Sequence, residues 1–247
     1  MAIDFSIFAE GHTWVALLTL IFLEIILGVD NIIFISIVSS KLPKDQQAKA
    51  RTIGLMMALV FRVLLLMGIT YIIKLTEPVF TIDFLGFVQG FSWRDLILLA
   101  GGLFLIAKST SEIHHKISGA EQSEQKQGAK GSMSKIIFQI ILLDIVFSFD
   151  SILTAIGLVD QIILMIIAVV VAMVVMMIFT GAISRFIEAR PTLQILALSF
   201  LILIGVMLVA EGFGEHVPKG YIYFSVAFSL IVEILNMRLR KKIEEPS

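Results

Sequence analysis

Four carboxylates stand inside apolar runs, two in each of two stretches: Glu24 and Asp30 in LEIILGVDN at residues 23–31, and Asp144 and Asp150 in LDIVFSFDS at residues 143–151. An ionised group in hydrocarbon is costly enough that it persists there only with a partner or a task. With an offset of 120 the stretches match Leu23 with Leu143, Glu24 with Asp144, Ile25 with Ile145, Asp30 with Asp150 and Ile32 with Ile152. Asn31 then falls opposite Ser151, and Gly28 opposite Ser148. Matching acids at matching positions read as a duplicated site for a cation.

On a regular helix, positions i, i+4 and i+7 share a face. Glu24, Gly28 and Asn31 therefore form one stripe, and Asp144, Ser148 and Ser151 the corresponding one. Asp30 and Asp150 come six residues after the first acid of each stretch. On an unbroken helix that turns them about 120° away and moves them about 9 Å along the axis. Either each helix serves two sites, or it unwinds near Gly28 and Ser148. The second arrangement is favoured, because unwinding frees carbonyl oxygens as ligands where the backbone lines a cavity.

The candidate metal ligands are thus Glu24, Asp30, Asn31, Asp144, Asp150 and Ser151, a set of carboxylate, amide and hydroxyl oxygens. The chain contains no cysteine, and its four histidines lie outside the apolar runs. Hard divalent cations such as Mn²⁺, Mg²⁺ or Ca²⁺ suit such oxygens better than Zn²⁺ or Cu⁺. Four carboxylates overcharge one divalent ion, and like charges at close range raise one another's pKa, so proton exchange against the cation is expected. His114 and His115 lie in a polar segment and are read as solvated. Methionines such as Met56, Met57, Met173, Met176 and Met177 are scattered and are read as packing. An enzyme is not expected, because the HExxH pattern of an intramembrane metalloprotease is missing. Neither a tightly bound cofactor nor a nucleic-acid partner is expected.

The elements that must position these groups are membrane helices. Of 247 residues, 58% are hydrophobic and 16% charged, and the mean hydropathy is +0.98. A soluble domain of this size needs more charge on its surface than that. Seven runs are long enough to cross a bilayer, at about residues 14–38, 53–74, 94–111, 135–158, 161–185, 192–211 and 221–238. The tail before the first run holds Asp4 and Glu10 but no lysine, unlike a cleaved signal peptide. Fifteen Lys and Arg residues fall on one side of the alternating topology, against Lys74, Arg94 and Lys219 on the other. The positive-inside rule then puts the N-terminus outside and the C-terminus in the cytoplasm of a multi-pass protein of the inner (plasma) membrane.

Residues 112–134 read as a flexible cytoplasmic linker between two three-helix halves, 1–111 and 135–216, followed by a seventh helix and basic tail at 217–247. GGLFLIAKSTSE at 101–112 echoes IGVMLVAEGFGE at 204–215, extending the repeat beyond the acidic stretches. Three spans per half force the second half to enter the membrane from the opposite side. The expected fold is all-α, seven transmembrane helices in an inverted 3+3 repeat plus one C-terminal helix. Gly101, Gly102 and Gly205 are read as points of close helix approach. Arg62, the one basic group deep in a span, needs a partner. Asp30, Asp150, a backbone carbonyl, or snorkelling to the interface are the alternatives.

LEIILGVDNIIFISI followed by LPKDQQAKARTIGLMMALVFRVLLL resembles the TerC family of integral membrane proteins, and LLDIVFSFDSILTAIG is similar to that family's second acidic helix. The resemblance runs from about residue 12 to 240, in the short, membrane-only form. It implies a seven-helix transporter with manganese efflux as the leading activity, and functional positions at Glu24, Asp30, Asn31, Asp144 and Asp150. Ser151 replaces an amide by a hydroxyl relative to the first repeat. The expected function is export of a divalent cation, Mn²⁺ foremost, by alternating access. The alternative is a membrane partner that delivers or senses metal for exported proteins without net transport.

Overall fold

The computed structural model of the protein describes residues 9–84, 87–118, 132–156, 159, 161–215 and 217–244. The long helices are α1 (Gly11–Ser39), α2 (Lys44–Met67), α4 (Trp93–Ile117), α5 (Met133–Ile156), α6 (Ile162–Glu188), α7 (Pro191–Gly212) and α8 (Lys219–Glu244). A short α3 (Ile69–Lys74) and two strands, β1 (Pro78–Phe84) and β2 (Phe87–Ser92), lie between α2 and α4. Helix interiors are free of proline, whose ring would remove a hydrogen bond and clash with the preceding turn. Pro43 caps α2, Pro191 opens α7, Pro218 precedes α8 and Pro78 begins β1.

Among the described residues, all the long helices except α5 are long and apolar enough, over most of their length, to cross a membrane. The apolar surface lies outside as well as inside. Phe22 (64%), Leu64 (55%), Ile178 (69%) and Phe224 (71%) stand exposed on α1, α2, α6 and α8. In water such faces would drive association; in lipid they are the solvated surface. The interior is filled by Leu55, Leu66, Leu98, Leu105, Ile140, Leu143, Met173 and Leu198, all essentially inaccessible.

Helix neighbours follow a regular scheme. The broadest interfaces are α4 with α7 and α1 with α6, then α2 with α5; α2 also meets α6, and α1 meets α5. Glycine sets how closely several of these pairs approach. A Cβ on Gly102 would lie 2.6 Å from the Gly205 carbonyl oxygen, and one on Gly205 would lie 2.9 Å from that of Gly102. Gly101 admits Val146 of α5, and Gly54 of α2 admits Ile140. The packing role expected of Gly101, Gly102 and Gly205 is what the backbones require.

One end of the bundle gathers charge. Lys41 and Lys108 both pair with the buried Glu112. Arg51 lies 3.6 Å from Glu188 and donates to Ser39 at 3.4 Å, and Lys116 donates to Gln194 at 2.6 Å. These contacts bring the ends of α1, α4 and α6 together with the starts of α2 and α7, as alternating spans require. At the opposite end Phe91 packs edge-on against Phe213, with ring centroids 6.0 Å apart, joining β2 to the end of α7.

Several boundaries differ from the sequence reading. The second run, expected at 53–74, is a helix from Lys44 that stops at Met67, with Gly68 capping it before the separate α3. Its first turns, KDQQAKAR, are too polar for a hydropathy window to include. The expected linker at 112–134 is shorter at both ends, because α4 continues to Ile117 and α5 begins at Met133. His114 and His115 therefore lie in the last turn of α4, and residues 119–131 fall outside the described residues. The antiparallel pair β1 and β2 was not anticipated. Its signal was present in the alternation of VFTIDF and in the turn-rich, β-branched and aromatic composition that follows. Ser92 ends β2 and caps α4: its hydroxyl accepts from the Asp95 N–H, while the Asp95 carboxylate accepts from the Ser92 N–H.

Candidate metal centre

Glu24 sits at the middle of the 29-residue α1 and Asp144 at the middle of the 24-residue α5. Both side chains are buried, and a single guanidinium joins them. Arg62 of α2 donates from Nη1 to Glu24 Oε2 at 2.6 Å and from Nη2 to Asp144 Oδ1 at 2.8 Å. Arg62 itself is 2% exposed. A carboxylate left alone at that depth would cost several kcal/mol in desolvation, and two facing each other would cost more; the guanidinium removes that penalty with short, charge-assisted bonds.

Neutral oxygen and nitrogen groups complete the cluster. Asn31 Nδ2 donates to Asp144 Oδ1 at 3.3 Å, and Ser148 Oγ donates to Asp144 Oδ2 at 3.1 Å. Ser151 Oγ donates to the Ser148 carbonyl at 3.2 Å, one turn along the same stripe. Glu24 and Asn31 reach the cluster from α1, and Asp144 and Ser148 from α5, with Ser151 one turn further along that helix. Gly28, between Glu24 and Asn31, is filled by a neighbour, since a Cβ there would lie 2.1 Å from the Met176 sulfur of α6.

Glu24, Asn31 and Asp144 of the expected ligands are joined with Arg62 in one buried cluster, while Ser151, also buried, bonds the Ser148 carbonyl of its own helix. Asp30 and Asp150 lie within α1 and α5, but their side chains fall outside the described residues. The expected unwinding near Gly28 and Ser148 is not observed: both helices run through those positions without interruption. The physical reason is local. The missing Cβ of Gly28 admits Met176, and the Ser148 hydroxyl bonds the Asp144 carboxylate one turn back, so neither position demands an irregular backbone. Arg62 also departs from the expected partners, because it bridges Glu24 and Asp144. That Arg62 is the only basic residue deep in a span was the signal; which acids it would meet depends on how α2 packs against α1 and α5, which spacing along one helix does not encode.

The donor set is hard oxygen, as a divalent cation would require. Among the described residues no three acidic or imidazole side chains converge closely enough to hold a metal. The two carboxylates that do converge are engaged by Arg62.

The whole chain fits one family. The model of the integral membrane protein TerC family matches residues 9–246. The chain belongs to the TerC family. Among curated relatives, a UPF0053 protein of Haemophilus influenzae is 47% identical over 237 residues, covering 96% of this chain and 98% of the relative. The UPF0053 inner membrane protein YgdQ of Escherichia coli K12 is 50% identical over 241 residues, with 96% and 98% covered. A longer relative, the UPF0053 inner membrane protein YoaE of the same organism, is 45% identical over 233 residues, which are 94% of this chain but 44% of YoaE. No solved structure matches. For this TerC family member, membrane embedding is established, and the buried cluster lies at the centre of the membrane helices.

Proposed function

We propose that the protein is a carrier that exports a divalent cation, Mn²⁺ in the first place, across the inner membrane by alternating access around Glu24 and Asp144. One observation carries this reading: acids 120 positions apart in sequence meet at one buried point, midway along two long helices, among oxygen donors. A polar cluster of this kind in the middle of apolar helices marks an ion path more readily than a fastening, since fastening is achieved more cheaply by glycine contacts such as Gly102 with Gly205.

An inverted duplication of the two halves, as expected from the sequence, would serve the same mechanism. Exchanging α1 with α5, α2 with α6 and α4 with α7 carries the α1·α6 interface into α5·α2, leaves α4·α7, α1·α5 and α2·α6 in place, and turns α1·α7 into α5·α4, each of which packs in this chain; the smaller α1·α2 and α6·α7 interfaces have no counterpart of similar extent. Gly102 and Gly205, equivalent in the repeat, also touch each other. Two equivalent halves meeting at a shared site can rock to open it to one side and then the other. The basic end faces the cytoplasm. Asp30 and Asp150, on the same two helices, act with the central pair on the cargo.

The test is flux. The purified protein in liposomes loaded with a Mn²⁺-sensitive dye is expected to carry Mn²⁺ down an imposed gradient, and cells carrying Asp30→Asn or Asp150→Asn are expected to accumulate Mn²⁺. Binding of Mn²⁺ by the purified protein without flux would favour a metal-delivery or sensing role instead; normal accumulation by well-expressed variants would sink the assignment of those acids.

A further inference from the structure

Arg62 has no equivalent in the other half of the chain: α6, which packs against α2, carries no charged side chain between residues 162 and 184. One guanidinium therefore serves two equivalent acids. It stands where a cation bonding both Glu24 and Asp144 would have to stand, 2.6 Å from one carboxylate and 2.8 Å from the other. A divalent ion binds carboxylate oxygens at about 2.0–2.6 Å and cannot share that place with a guanidinium. Arg62 Nε is also buried without a hydrogen-bond partner among the described residues, so the described contacts hold the group by its terminal nitrogens alone.

We propose that Arg62 is an internal counterion that competes with the cargo cation for Glu24 and Asp144. Arg62 bridges the two carboxylates, and cargo takes them by displacing it. This rests on the cation reading above for the class of ligand, but it concerns binding rather than movement. Its consequence is that both acids keep a positive partner at every stage, so the unloaded protein holds no pair of bare carboxylates in hydrocarbon. It also sets the affinity: every cation bound must overcome an ion pair already made, which weakens binding and eases release.

The experiment measures binding of Mn²⁺ alone to the purified full chain in detergent, by loss of the free-ion electron paramagnetic resonance signal. Arg62→Met is expected to tighten binding by about tenfold or more, because a like charge has left the site. Added methylguanidinium is expected to compete with Mn²⁺ in this variant and to have little effect on the unsubstituted protein. Unchanged or weaker binding by a variant that elutes as the unsubstituted protein overturns the proposal, as does absence of binding by both. If Arg62→Met does not fold, Arg62→Lys, which keeps the charge but loses the two-pronged grip, is expected to bind more tightly by a smaller factor, and equal or weaker binding overturns it. Tightened binding without flux in liposomes would remove the transport reading and leave this one standing; flux with unchanged binding in Arg62→Met would do the reverse.

Discussion

Asp144 accepts from Arg62 on α2, Asn31 on α1 and Ser148 on its own helix. It is the side chain through which three helices are fixed to one another. Asp144→Asn removes a charge that Arg62 needs and leaves the guanidinium buried against Glu24 with one strong partner fewer. Breaking a buried pair from one side costs about 3–5 kcal/mol. A fall in thermal unfolding temperature of the purified variant in detergent checks this, and a temperature equal to that of the unsubstituted protein would show that the charge of Asp144 contributes nothing to stability. Ser151 is different in kind. Its hydroxyl donates to a carbonyl of its own helix, a local bond that leaves a lone pair for a ligand. Ser151→Ala is therefore expected to change stability by about 1 kcal/mol or less while weakening Mn²⁺ binding. Equal Mn²⁺ affinity in the variant would remove Ser151 from the ligand set.

At the scale of elements, the α4·α7 contact depends on two hydrogens where other residues carry side chains. At Gly102 a methyl group would meet the Gly205 carbonyl oxygen at 2.6 Å, an atom of the backbone that cannot turn aside. Gly102→Ala must push the helices apart and is expected to cost about 1–3 kcal/mol. Gly181→Ala is the control: its Cβ would meet only the Arg185 side chain at 3.6 Å, so the change should be neutral or stabilising by up to about 1 kcal/mol through helix propensity. Thermal unfolding of the two variants side by side decides, and equal effects would refute the close-approach account. These glycines were visible in the sequence, as were the helices, because apolar length and the punctuation by Pro43, Pro191 and Pro218 are local signals. The strands β1 and β2 are too short to register as runs of membrane-spanning length. The site was legible in part: the i, i+4, i+7 stripe put Glu24 with Asn31 and Asp144 with Ser151 before any packing was known. The pairing of Glu24 with Asp144 was legible in their matching depths, but their bridging by Arg62 was not, since it is fixed by the angles at which α1, α2 and α5 cross.

For the whole molecule, the interface between α1 and α6 is where the proposed alternating access makes its strongest demand. Toward the basic end this interface is closed by Ser36 and Ser184, both fully buried, whose hydroxyls lie 2.6 Å apart. Beyond them Arg51 ties Ser39 to Glu188. With the basic end at the cytoplasm, as proposed, parting of α1 and α6 there would open a way from the cytoplasm to Glu24. The chain has no native cysteine, so a pair can be introduced without background. Ser36→Cys with Ser184→Cys is expected to form a disulfide under mild oxidation, because the two side chains already touch. That bond should abolish Mn²⁺ flux in liposomes, and reduction should restore it, while each single variant stays active. Undiminished flux through the fully crosslinked protein would mean that these helices do not part during transport. The gate on the basic side would then have to lie elsewhere, at the α2·α5 interface or between the halves at α4·α7.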